Sequence, residues 1–154
     1  MDRFETFATT IAVIHRCLQR IKDREMLPYG LKGTHVMCLY SLGKKSEGLT
    51  AAELCGVCGE DKAAVSRTVN DLTEKEYVRL NTDGQKRAYR AKILLTEKGK
   101  NVIEYINKRV ESALESVGGE LSDSQRSDFY KALSLIADNL IKYTKSEAIS
   151  NEYA

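Results

Sequence analysis

Length, composition and charge place this chain among ordinary globular proteins and exclude several other classes. Its 154 residues are 42% hydrophobic and 30% charged, with one proline and ten glycines, a composition that allows a packed core and favours long helices. No apolar run approaches the ~18 residues of a membrane span. The opening residues 1–4 begin a periodic helix and not a signal peptide, so we expect a cytoplasmic protein.

The first predicted helix carries a narrow apolar seam. Its apolar residues recur at alternating spacings of three and four, which is the a/d pattern of a coiled coil. Pro28 and Gly30 stop the helix. A seam this narrow requires a partner helix. The seam of this first helix consists of Phe4, Phe7, Ile11, Ile14, Leu18 and Ile21.

Two shorter helices are predicted next. Residues 34–42 form the first of them, and a polar loop follows. Thr50 and Glu53 then have the spacing of a capping box, which starts the second short helix. We expect Gly56 and Gly59 to break that helix.

A further helix begins at Asp61, whose side chain is a suitable N-cap. Apolar residues recur at helical spacing on one face of this helix, at Val65, Val69 and Leu72. The opposite face presents hydrogen-bond donors and positive charge of the kind that binds DNA, from Lys62, Ser66, Arg67 and Asn70.

A two-stranded hairpin is predicted after this helix. Residues 77–80 and 88–95 alternate as strands do, and the Asp-Gly pair at 83–84 is a hairpin-turn signal. Lys86 and Arg87 lie at the tip, and Arg90 lies on the returning strand. Between positions 79 and 100, seven basic residues stand against two acidic ones, on a chain whose net charge is only +2. A solvated charged face is the plain alternative, but the position beside a DNA-type helix favours nucleic-acid binding.

Two long helices complete the chain. The first runs from about position 96 to the glycine pair 118–119, with heptad-like apolar spacing. Ser122 and Gln125 form another capping box, which starts the last helix. Since the apolar faces of the terminal helices cannot all be buried within one chain, we expect a homodimer with two-fold symmetry. The seam of the last helix consists of Phe129, Leu133, Ile136, Leu140 and Tyr143.

These pieces, in this order, resemble the MarR-type transcriptional regulators of bacteria. The matching segments are LTAAEL, DKAAVSRTVNDL, YVRL and ILLTEKGK, and with the long flanking helices the resemblance covers nearly the whole chain. Two departures stand out. Glu76 occupies a position where such proteins usually have glycine, and the hairpin lacks the Asp-Arg-Arg that many of them carry.

The resemblance implies a mainly α fold with a small β-hairpin wing, a winged helix-turn-helix with long N- and C-terminal dimerisation helices. One domain would span residues 1–154, with dimerisation helices at 1–30 and 100–145 and the DNA-binding region at 34–98. The implied function is a homodimeric regulator that binds a pseudo-palindromic operator in double-stranded DNA. A repressor released by a small ligand or an oxidant is the form we expect, without a cofactor and without a membrane partner.

Cysteines and histidines offer two further sites. Cys55 and Cys58 favour core packing, with a thiol switch as the alternative; the zinc interpretation lacks completing ligands, so we expect no metal. The resemblance also implies a small-molecule pocket between the dimer helices and the winged unit. Side chains that could line it are those of His15, Tyr29, His35 and Tyr40.

No catalytic motif is present, so we expect no enzyme. The rival function is a winged-helix protein-interaction module that does not bind DNA. Such a module would present apolar or aromatic residues where this chain has basic and polar ones.

Overall fold

The computed structural model describes residues 2–81 and 91–152, with side chains described as far as residue 145. The predicted fold class, mainly helical with an antiparallel hairpin, is confirmed. No helix in the described residues is long and apolar enough to span a membrane. The elements are α1 Arg3–Met26, a 3-10 turn Leu27–Tyr29, α2 His35–Gly43, α3 Ala51–Cys58, α4 Lys62–Glu74, β1 Val78–Asn81, β2 Lys92–Leu95, α5 Glu97–Gly118 and α6 Asp123–Glu152.

The chain forms two compact units, Met1–Arg109 and Val110–Ala154. The boundary falls inside α5. The first unit contains the helix-turn-helix and the strands, and the second contains the end of α5 together with α6. The division into one domain of 154 residues stays a prediction.

The helix starts that the sequence predicts are confirmed atom by atom. The Thr50 Oγ1 accepts from the Glu53 amide, while the Glu53 carboxylate accepts from the Thr50 amide at 2.7 Å, which is a complete capping box. The Asp61 carboxylate accepts from the Ala64 amide at 2.7 Å and caps α4. Ser122 and Gln125 exchange the equivalent bonds at the start of α6. Each bond satisfies a backbone donor that the helix itself leaves open.

The prediction for Gly56 was wrong. Gly56 lies inside α3, and the helix ends at Gly59, whose φ of 67° is the left-handed conformation of a C-terminal cap. Its amide donates to the Cys55 carbonyl at 3.1 Å. A glycine within a helix costs only about 1 kcal/mol, so capping at both ends is enough to carry α3 through Gly56.

The core of the first unit lies where α2, α3, α4 and the sheet meet. The apolar face of α4 is buried as predicted, with Leu72 fully covered. The strands pair in antiparallel register, Val78 opposite Leu95, and Leu49 adds an isolated bridge to Ile93. The residues that are fully buried there are Met26, Leu39, Leu54, Leu72 and Ile93.

Helix α4 ends in a Schellman motif at Glu76. The Tyr77 amide donates to the Leu72 carbonyl at 2.9 Å, and the Glu76 amide donates to the Thr73 carbonyl at 3.0 Å. Glu76 has a φ of 62°, the only positive φ among the non-glycine residues described. Proteins of the type that the sequence resembles usually have glycine at this position. Here a residue with a Cβ atom adopts a backbone conformation that is unfavourable for it.

We expect Glu76→Gly to stabilise the protein by about 1 kcal/mol, because glycine adopts the left-handed region without the steric cost of a Cβ atom. Thermal unfolding should show a rise of about 2–4 °C for a chain of this length. The matched control is Glu74→Gly, which places glycine within the last turn of α4 and should lower stability by about 1 kcal/mol. Equal effects from the two substitutions would contradict the assignment of strain to Glu76.

Candidate nucleic-acid interface

Helix α4 presents one buried face and one polar face. Val65, Val69 and Leu72 are buried against the neighbouring helices. The four side chains that the sequence predicts to face outward are all exposed: Lys62, Ser66, Arg67 and Asn70. Ser66 lies four positions after Lys62 and four before Asn70, and Arg67 lies three before Asn70, so the four side chains share one side of the helix. We call this donor-rich surface the polar face of α4.

A buried histidine holds α4 against α2. His35 is 2% exposed, and its Nε2 lies 2.8 Å from Asp71 Oδ2 on α4. The Lys32 amide donates to His35 Nδ1 at 2.8 Å. Since Nδ1 is the acceptor, the ring proton resides on Nε2 and is donated to Asp71. Burial lowers the pKa of His35, which keeps the ring neutral in this arrangement.

Asp71 is also bound to Lys75, one turn further along α4. Lys75 Nζ lies 2.6 Å from Asp71 Oδ1, so each carboxylate oxygen has its own partner. The hydrogen bond from Lys75 lowers the pKa of Asp71. His35, which the sequence predicts to line a pocket, therefore also links α2 to α4 through its hydrogen bond to Asp71.

A second link joins α3 to the sheet. The capping carboxylate of Glu53 lies 2.9 Å from Lys92 Nζ on β2. The hydrogen bond from the Thr50 backbone amide has the largest effect and that from Lys92 the next, and they lower the pKa of Glu53 to about 2. No sequence pattern predicts this pair, because the two residues lie 39 positions apart and the capping role alone accounts for a carboxylate at Glu53.

The predicted wing contacts Lys86, Arg87 and Arg90 lie outside the described residues. Two basic residues on the strands of the hairpin are described. Arg79 on β1 is exposed, and Lys92 on β2 is partly covered by its bond to Glu53. The role of the hairpin tip stays a prediction.

Of the four residues proposed to line a small-molecule pocket, His35 borders the cavity beside α4, and the pocket between the dimer helices and the winged unit stays a prediction. His15 is exposed on α1. Tyr29 packs against Tyr105 with ring centroids 5.4 Å apart, and Tyr40 lies under Lys44 Nζ at 4.1 Å. A cavity of about 400 Å³ does border His35, but its lining comes from α2, the α3–α4 turn and α4.

A charged cluster joins the end of α1 to α5 within the first unit. Arg109 donates to both oxygens of Glu25, at 2.7 and 2.9 Å, and the Tyr105 hydroxyl donates to the same carboxylate at 2.6 Å. The side chain of Glu25 is only 12% exposed. These bonds, that of Arg109 first, lower the pKa of Glu25 to about 2. The cluster joins the C-terminal end of α1 to α5.

The cysteines are free thiols. Cys55 and Cys58 are half-buried on α3, so neither is fully part of the core, and Cys58 borders the cavity together with the buried Cys38 of α2. Burial raises the pKa of Cys38 to about 12, and burial together with the nearby Glu60 raises the pKa of Cys58. Within residues 2–81 and 91–152 no cluster of three metal-ligating side chains is present.

We expect Cys38 and Cys58 to react slowly with iodoacetamide in the native protein at pH 8, because the thiolate is the reactive form and burial suppresses it. Peptide mapping by mass spectrometry should show Cys38 modified more than about a hundredfold more slowly than in the denatured chain, given a thiol pKa of about 12. The denatured chain at the same pH is the internal control. Similar native and denatured rates at Cys58 would favour a thiol sensor.

Together, a capped helix with an exposed polar face, a short helix packed behind it and a following antiparallel hairpin define the winged helix-turn-helix class. Residues 29–88 match the model of the MarR family. The resemblance to MarR-type regulators is thus confirmed for residues 29–88 by the family model, and the fold of most of the chain is the one seen in solved structures of MarR regulators.

Solved structures with this fold include three that illustrate its range. A MarR transcriptional regulator from Methanosarcina mazei is 23% identical, with a TM-score of 0.74, over 92% of this chain and 93% of that one. MepR in the S. aureus MepR-DNA complex is 17% identical, with a TM-score of 0.80, and the match covers 90% of this chain and 99% of that one. CouR from Rhodococcus jostii, bound to p-coumaroyl-CoA, is 19% identical, with a TM-score of 0.74, and the match covers 85% of this chain and 91% of that one.

Proposed function

We propose that this chain is a sequence-specific DNA-binding transcriptional regulator that acts in the cytoplasm as a homodimeric repressor released by a small ligand. The observation that carries the proposal is the polar face of α4. This helix has its opposite face fully buried in a helix-turn-helix, and its exposed side chains are basic or hydrogen-bonding. A helix supported in this way can enter the major groove without losing its packing.

The contacts follow from the order of residues along α4. Ser66 and Arg67 meet base edges, Lys62 and Asn70 flank them, and the backbone amides near Asp61 meet phosphate. Arginine suits guanine, since its guanidinium donates two parallel hydrogen bonds to O6 and N7. The S. aureus MepR structure, which contains DNA, supports DNA binding as a use of this fold.

Dimerisation is supported by the exposed seam of α1. The six seam residues of α1 have exposed fractions between 37% and 75% within a single chain. The seam residues of α6 are likewise 38% to 60% exposed. Apolar surface of this extent favours burial against another copy, and a two-fold dimer would present two α4 helices to the two half-sites of a palindromic operator.

The rival function, a protein-interaction module, is less well supported. The exposed positions of α4 carry no large apolar or aromatic side chain; they are Lys62, Ala63, Ser66, Arg67, Asn70, Thr73 and Glu74. Protein interfaces are enriched in aromatic residues at their centre and depleted in lysine and glutamate. The polar face of α4 has the opposite composition.

The experiment that separates the two functions is a gel shift with the DNA upstream of the protein's own gene, at two salt concentrations. A regulator should bind this fragment more tightly than random DNA of equal length, with an affinity that falls as salt rises. Equal binding to both fragments, or none, would contradict sequence-specific regulation and favour the interaction module.

For the wing, we expect the double substitution of Lys86 and Arg87 by alanine to weaken binding on all sequences alike, if these residues only neutralise phosphates. The plot of log affinity against log salt should become flatter by about one unit for each lost contact. Lys45→Ala, in the loop before α3, is the control for charge removal elsewhere. A change in sequence preference would instead indicate minor-groove readout, and an unchanged affinity and salt slope would exclude the tip from the interface.

Release by a small ligand is better supported than release by an oxidant. The structure of CouR contains p-coumaroyl-CoA, so a protein of similar fold binds a small organic molecule. A redox sensor needs a readily formed thiolate, whereas the pKa of Cys58 is raised. The thiol switch at Cys55 and Cys58 remains the alternative, and the alkylation experiment tests it at Cys58.

A further inference from the structure

Tyr77 connects the C-terminal end of α4 to the turn that follows α1. Its side chain is only 4% exposed. Its hydroxyl donates a hydrogen bond of 2.7 Å to the backbone carbonyl of Tyr29, which belongs to the 3-10 turn after α1. The Tyr77 amide also closes the Schellman motif of α4, so the same residue ends that helix and binds the turn.

The start of α5 packs directly on Tyr77. The Thr96 amide donates to the Tyr77 carbonyl at 3.1 Å, and Lys98 Nζ lies 4.3 Å from the centre of the Tyr77 ring. The same ammonium group donates to the Lys75 carbonyl at 2.8 Å and so caps the C-terminal end of α4. A side chain at Gly99 would collide with the Tyr77 carbonyl oxygen, so the two backbones are in close contact here.

The contacts continue from Tyr29 to α5 and back to α1. The Tyr29 and Tyr105 rings pack with centroids 5.4 Å apart. The Tyr105 hydroxyl donates to Glu25, whose carboxylate also accepts hydrogen bonds from Arg109 at 2.7 and 2.9 Å. A continuous set of contacts therefore runs from the end of α4 to α1 and α5. We call these five residues, Tyr77, Tyr29, Tyr105, Glu25 and Arg109, the joint.

Hydrogen bonds fix the geometry of the joint more strictly than apolar packing could. The hydrophobic effect has no direction, so apolar side chains alone could pack this junction in several ways. Donors and acceptors are satisfied only when they meet at the right distance and angle. Since α1 carries the seam that is expected to form the dimer, the joint supplies directional contacts between the assembly helix and the helix with the polar face.

We propose that Tyr77 and Glu25 are positioning residues for DNA recognition, which fix the direction of α4 relative to α1 and α5 and thereby the separation of the two α4 helices in a dimer. Neither side chain has to touch DNA for this role. A dimer gains affinity from its second half-site only if both α4 helices meet their grooves at once. The effect on DNA rests on the proposed function, whereas the rigidity of the joint does not.

The rigidity of the joint is tested without DNA, by a double-mutant cycle in thermal unfolding at one protein concentration. Tyr77→Phe and Glu25→Gln remove polar contacts at nearly constant volume, and they should lower the melting temperature by about 3 and 5 °C. Because both side chains belong to one network, the double variant should lose about 6 °C, which is less than the sum. Additive losses, or no loss from either single variant, would overturn the joint.

The control cycle combines Tyr40→Phe with Glu104→Gln. The first removes a tyrosine hydroxyl from α2, and the second removes the charge of an exposed carboxylate on α5, both outside the joint. Their effects on the melting temperature should be small and additive.

The effect on recognition is measured with three labelled duplexes, after a footprint has located the operator in the upstream DNA. They are the whole operator, one half-site, and the operator with one base pair inserted at its centre. The insertion turns one half-site by about 35°, so the wild type should bind it about thirtyfold more weakly than the operator. Tyr77→Phe and Glu25→Gln should bind the half-site like the wild type but the operator about tenfold more weakly, and their discrimination against the insertion should fall to about threefold.

Tyr40→Phe and Glu104→Gln should match the wild type on all three duplexes. A joint variant that is weakened equally on operator and half-site would have only a structural defect, which would overturn the positioning role. Unchanged discrimination against the insertion would overturn it as well. If the wild type binds no operator, the proposed function fails and the positioning role with it, while the melting cycle still decides whether the joint acts as one unit.

Discussion

Arg67→Ala should abolish most of the protein's preference for its operator over random DNA. A bidentate contact between arginine and guanine contributes about 1–3 kcal/mol of discrimination, so the ratio of specific to random affinity should fall by roughly 5- to 150-fold. Arg67 is exposed on α4, and its removal leaves the buried face of that helix untouched. Fluorescence anisotropy with operator and random duplexes at one salt concentration measures the ratio directly.

The control for this prediction is Arg67→Lys. Lysine keeps the positive charge but cannot form the planar two-bond contact. We therefore expect Arg67→Lys to keep the salt dependence of the wild type while losing operator preference almost as completely as alanine does. If Arg67→Ala binds both duplexes in the wild-type ratio, the assignment of Arg67 to base recognition is wrong.

Ile11→Glu should destroy the dimer and, with it, the folded protein. Ile11 is 40% exposed in the single chain, and in a two-fold dimer the substitution places a carboxylate in the seam of both copies. An unpaired charge buried in this way costs several kcal/mol, so the melting temperature should fall by roughly 10 °C or more. Light scattering and circular dichroism together distinguish loss of assembly from loss of folding.

Two comparisons make this experiment decisive. Ala12→Glu adds the same charge one position along α1, outside the seam, and should leave both assembly and melting temperature nearly unchanged. Ile136→Glu, in the seam of α6, should behave like Ile11→Glu, because its side chain is 39% exposed and is expected to be covered in the dimer. A wild-type protein that is monomeric at micromolar concentration would contradict dimerisation through these seams.

The helix caps and the two faces of α4 could be predicted from the sequence. Capping residues act on amides two or three positions away, so Thr50, Asp61 and Ser122 identify their helix starts without any knowledge of the tertiary structure. The two faces of α4 follow from helical periodicity for the same reason. Glu76 shows the limit of this reasoning, since only the structure reveals that its φ is positive.

Contacts across long separations in sequence could not be predicted in this way. His35 and Asp71 are 36 positions apart, and Glu53 and Lys92 are 39, so no periodic pattern relates them.

What the sequence by itself determined is therefore which segments become helices and which face of α4 is polar, because hydrogen-bond capping and periodic burial act between near neighbours. The tertiary structure alone decided that His35 supports α4 and that Lys32, Arg67, Cys38 and Cys58 line one cavity. Packing of α2, α3 and α4 around a shared core sets those distances.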